Sequence, residues 1–140
     1  MIQAPTNIGT YTECYAADEA LLQDANLLRV ARETGDWLPL IVDGKTPTRF
    51  TMRVIPGHVF RKIVDLDVGS SQRQALLFRA ACVGISGIEP FKFSLVKDQE
   101  HGLGQLASLE VVDFLDAVDL NIVNELALAV MNRVFLRPKS

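Results

Sequence analysis

Eight residues constrain this chain more than any others. Over residues 48–55 apolar and polar side chains alternate strictly, with Phe50, Met52 and Val54 on one side and Arg49, Thr51 and Arg53 on the other. Period-two alternation requires a half-buried β-strand, because successive side chains of extended backbone point to opposite faces. A strand cannot stand alone, so the chain must supply a partner. The nearest candidate is the apolar stretch 37–42, separated from it by the turn-forming run Asp43-Gly44-Lys45-Thr46-Pro47. We therefore expect a β-hairpin near residues 37–55, with its first strand at an edge, since Pro39 cannot donate a ladder hydrogen bond.

Most of the remaining chain carries helical spacing. Leu21, Ala25 and Leu28 fall on one stripe, which predicts a helix over residues 16–32 that stops at Gly35. Val59, Phe60, Ile63 and Leu66 predict a short helix after Pro56-Gly57 that ends at Gly69. Ser71 and Gln74 form a capping-box pattern opening another helix through Leu76, Leu77, Ala80 and Val83 toward Gly84. Phe91, Phe93 and Leu95 alternate briefly, and the polar run from Lys97 to Gly102 reads as a loop. Ser108 is placed to cap a helix carrying Val111, Val112, Leu115 and Val118. A last helix over residues 121–135 carries Ile122, Leu126, Val130 and Val134, flanked by Val123 and Met131. Leu128 lies nearly opposite that stripe, and a helix apolar on a second side usually has a second partner. The expected class is α+β, predominantly helical with four to five helices and one hairpin. Residues 1–140 form one domain, and residues 1–12, with Pro5 and Gly9, read as an extended arm.

Composition narrows the function. Fourteen basic and seventeen acidic side chains give a net charge of -3, too mild to point to nucleic acid or an acidic membrane surface. No apolar run reaches the length of a membrane span, and the first residues lack the pattern of a signal peptide. Two unpatterned cysteines, Cys14 and Cys82, fit a reducing cytosol, with Cys82 read as a buried apolar residue.

No constellation for catalysis emerges. His101 beside Asp98 and Glu100 could ligate a divalent cation, but no second cluster completes a coordination set, and His58 opens a helix where a polar residue is ordinary. A cysteine–histidine pair would need an exposed thiolate, which a buried Cys82 does not supply. Gly84-Ile85-Ser86-Gly87-Ile88 has its second glycine misplaced for a nucleophile elbow, and Gly102-Leu103-Gly104 is too short to cradle phosphates. Asp113, Asp116 and Asp119 recur every third residue, as a solvated helix face or a charged rim does. The expectation is a protein that is not an enzyme, holds no cofactor or metal, and works by binding another protein.

From the strand onward, over about residues 37–136, the order of elements resembles the tail assembly chaperones of long-tailed bacteriophages. Phe50-Thr51-Met52-Arg53-Val54-Ile55 is similar to that family's Phe-x-x-Arg strand, and the stretch from Gly84 to Phe91 to its glycine-containing junction. Leu115-Asp116-Ala117-Val118 and the run from Asn124 to Asn132 are similar to its closing helical pair. Two features depart from the pattern: Ile88 or Phe91 stands where the family often has a tryptophan, and residues 16–32 have no counterpart. The resemblance implies a chaperone in the host cytoplasm that coats the tape-measure protein and recruits tail-tube subunits. Such work needs an apolar groove for a helix, expected here on Leu115, Leu128 and Met131. The competing expectation is a structural virion component, a head–tail connector or tail terminator, whose arm reaches a neighbour in a ring. The sequence leaves room for a homo-oligomer in either case.

Overall fold

The computed structural model describes residues 9–88 and 91–136. Expectations that fall on residues 1–8, on Glu89 and Pro90, on the side chain of Val134, or on the last four residues lie outside the described part. Five α-helices and two small antiparallel sheets are present among the described residues, so the class is α+β.

The alternating segment is a strand, β2 (Arg49–Arg53), with Phe50 and Met52 buried. Its partners are not the expected ones. β2 lies in the middle of a three-stranded sheet, between β1 (Thr10–Glu13) and β3 (Cys82–Ser86). Glu13 pairs with Phe50 on one side and Ile85 pairs with Phe50 on the other. Residues 37–42 are instead a 3₁₀ turn (Leu38–Leu40) with Pro39 in its first turn. The hairpin expected at 37–55 is therefore corrected. Proline fixes a φ suited to a helical turn and withholds the amide a strand needs. Part of the expected arm is likewise sheet, since β1 begins at Thr10.

The first helix is shorter than its apolar stripe. α1 (Ala25–Thr34) starts where the Asp24 side chain accepts from the Leu27 amide at 3.0 Å and ends at Gly35, whose φ of 79° closes the last turn. Residues 16–20 form turns, and an isolated bridge joins Leu21 to Ile41, just past the 3₁₀ segment. α2 (Gly57–Asp65) buries Val59 and Ile63 and ends before Gly69, which instead caps the next helix. α3 (Ser70–Ala81) passes directly into β3, so Cys82 opens a strand instead of continuing the helix.

A hairpin does occur, further along. β4 (Leu95–Asp98) and β5 (Gly104–Ala107) pair antiparallel, and the polar run between them is their turn. The Asp98 carboxylate accepts from the amides of Glu100, His101 and Leu103 at 3.0–3.2 Å, which folds that turn. α4 (Leu109–Val118) and α5 (Asn121–Leu136) close the chain. Ser108 holds the position before α4 but accepts from the Ser94 hydroxyl at 3.0 Å instead of capping the helix.

The main core lies where α3 meets α5 and the two sheets. Phe78 of α3 meets Phe50 of β2 edge to face at 6.2 Å between centroids, and both are fully buried among Ile63, Leu106, Leu115 and Leu126. Burying a side chain of that size contributes on the order of 3 kcal/mol. A second, smaller cluster of Cys14, Leu21, Ala31, Trp37 and Leu40 packs under α1.

Candidate functional site

The turn from α4 into α5 is unusually apolar on its outside. Val118 is 59% exposed and Leu120 is 76% exposed, either side of Asp119. Connecting segments are normally polar, so two exposed aliphatics there make the corner a candidate surface. Beside Val118 opens a cavity of about 340 Å³. Its buried lining residues are Phe50, Leu115 and Ile122, with Tyr15, Ile88 and Val118 also facing it. Asp18, Glu19 and Asp119 line it too, together with Ala17 and Thr48.

Local hydrogen bonds fix two of these acids. Asp119 accepts from the Tyr15 hydroxyl at 2.8 Å and from the Asn121 amide at 2.9 Å. The Asn121 amide and then the Tyr15 hydroxyl hold its carboxyl below the usual range. Burial, reinforced by that carboxylate, pushes the Tyr15 hydroxyl up. Asp18 accepts from the amides of Ala20 and Thr48, at 2.9 and 3.0 Å. Glu19 is exposed.

A second polar cluster lies behind the same segment, partly exposed around a fully buried Glu13. The Arg32 guanidinium donates to Glu125 at 2.7 Å and to the Cys14 carbonyl at 3.0 Å, and stands 3.7 Å from Glu13. Glu13 is fully buried with neither carboxyl oxygen hydrogen-bonded, and burial raises its pKa to about 7 against the lowering effect of Arg32. Arg133 donates to the Arg32 carbonyl at 3.2 Å and covers the Tyr11 ring at 4.1 Å. The Ala16 amide donates to Glu125, so this network positions residues 15–19 along the cavity. Its groups join four parts of the chain and are packed against one another, as a structural network is.

Neither thiol is primed for chemistry: burial pushes Cys14 and Cys82 both up to about 12. No cluster of three potential metal ligands occurs among the described residues, and Asp98, one arm of the candidate set with His101, is occupied in folding its turn. No helix among the described residues is long and apolar enough to cross a membrane. No family model matches the chain, and neither a curated protein nor a solved structure shows significant similarity to it.

Of the three residues expected to form a groove, Leu128 and Met131 lie one turn apart on α5, and Leu115 lies on α4. Leu115 is fully buried and lines the cavity. Met131 is half-buried and packs against the core. Leu128 is 47% exposed, with Asn124 and Asn132 one turn away on either side and half-buried Met131 three residues on. Val118, read from the sequence as core, is the residue exposed beside the cavity. The available signal was the aliphatic–aspartate–aliphatic run at a helix corner.

Proposed function

We propose that this chain is a non-enzymatic protein-binding module that receives a segment of its partner at the α4–α5 corner. The observation that carries the reading is the cavity itself, lined by buried Phe50, Leu115 and Ile122 and by exposed Val118 at a corner that also exposes Leu120. Partner sites combine a small desolvated pocket with an exposed apolar border and a polar rim. At about 340 Å³ the cavity is at the small end for ligand pockets, a size suited to one or two anchoring side chains.

With the sequence resemblance, the specific form of this reading is a phage tail assembly chaperone that acts in the host cytoplasm, binds the tape-measure protein and recruits tail-tube subunits. A helix laid along α4 and α5 would place an anchor in the cavity, which is helix-in-groove recognition. The test has two parts. The chain should co-purify with the tape-measure protein of its parent phage and be absent from finished particles by mass spectrometry. Stoichiometric presence in particles would overturn the chaperone role in favour of a structural component.

A further inference from the structure

We infer that the segment received at the α4–α5 corner is basic as well as apolar: a bulky side chain enters the cavity and a neighbouring lysine or arginine meets Asp18, Glu19 and Asp119. This deepens the protein-binding reading and rests on it.

Every ionisable side chain lining the cavity apart from the Tyr15 hydroxyl is acidic. The four ion pairs among the described residues involve none of the three acids. Asp18 and Asp119 are held by neutral donors only, namely backbone amides and a phenol. Those bonds fix the carboxylates in place and leave their charge uncancelled. A cation at this rim would meet acidic side chains that no ion pair among the described residues already engages.

Other occupants fit less well. A nucleic acid brings phosphates to an acidic rim. A bare metal ion needs converging ligands, and no group of three potential ligands among the described residues is close enough. A purely aliphatic segment would fill Phe50, Leu115 and Ile122 but leave the acids facing it unmatched, with a desolvation cost and no return. A guanidinium or ammonium on an aliphatic stem serves both parts, because its methylenes lie on apolar surface while its head stays at the rim.

The experiment is selection from a displayed library of random dodecapeptides on the immobilised full chain, run in parallel on Glu19→Lys and Val118→Lys. Circular dichroism melts confirm that both variants are folded, as expected for changes at exposed positions. The inference predicts enrichment of peptides with a bulky apolar residue near lysine or arginine. That basic preference should fall by about tenfold on Glu19→Lys, and enrichment should vanish on Val118→Lys. Apolar peptides enriched through Val118 with no basic preference would overturn the inference and leave the protein-binding reading standing. Enrichment that ignores Val118→Lys, or none at all, would overturn both.

Discussion

The Arg32 guanidinium lies 2.7 Å from the Glu125 carboxylate, joining two helices whose residues are 93 positions apart in the chain. The same side chain holds the Cys14 carbonyl and faces Glu13, so one arginine ties β1, α1 and α5 together. Arg32→Met should therefore cost about 2 kcal/mol, below the 3–5 typical of a fully buried pair because Arg32 and Glu125 are partly exposed. Urea unfolding at neutral pH measures it. A loss under about 0.5 kcal/mol would mean the network is only decorative.

Glu13 gives stability a definite pH dependence. Its carboxyl titrates near 7 in the folded chain, mainly through burial, against an ordinary value of 4.5. The folded state therefore holds this proton more tightly than the unfolded state. Its contribution is complete below about pH 4.5 and is lost as pH rises through about 7, to a total of roughly 3 kcal/mol. Glu13→Gln keeps the neutral form at all pH. It should match the wild type near pH 5 and exceed it in urea midpoint near pH 8. Parallel profiles for the two proteins would contradict the assignment.

Gly87 is fixed by both conformation and space. Its φ is 80°, and a Cβ built there would lie 2.4 Å from the Pro47 carbonyl oxygen, a backbone atom that cannot step aside. Gly87→Ala should cost about 2–4 kcal/mol, read from thermal melts. Gly44 has a similar φ and open space around it, so Gly44→Ala should cost only the conformational part, about 1–2 kcal/mol.

Leu128→Asp separates the two candidate surfaces. At an exposed position among asparagines it should change stability by less than about 0.5 kcal/mol. With the partner seated at the α4–α5 corner, its affinity should also hold within about twofold. Loss of binding by a folded Leu128→Asp would move the interface onto the outer face of α5.

The helices were legible where spacing and punctuation agreed. Gly35 ends α1, Pro56-Gly57 opens α2, and the stripe of Ile122, Leu126 and Val130 is the buried face of α5. Strand β2 was equally plain from its alternation, but its neighbours were not. Local pattern says that a strand needs partners, not which ones, and proximity favoured residues 37–42 over Thr10–Glu13 and Cys82–Ser86. Ala80-Ala81-Cys82 offers no stop residue, so the change from α3 to β3 is set by pairing with β2 alone. In Thr10-Tyr11-Thr12-Glu13 every side chain has a polar atom, so nothing local marks Glu13 as the buried one. The cavity was hidden for the same reason: Tyr15, Phe50, Ile88 and Val118 meet only through the fold.

Under the tail assembly chaperone proposal, the most direct test of a partner site at the α4–α5 corner is calorimetric titration of a candidate phage tape-measure protein into the wild-type chain and into Val118→Lys. The wild-type chain should give a saturable isotherm, and Val118→Lys should bind at least about 30-fold more weakly, because a charge replaces an aliphatic contact at the pocket's border. Equal affinities, or no wild-type binding, would contradict that proposal.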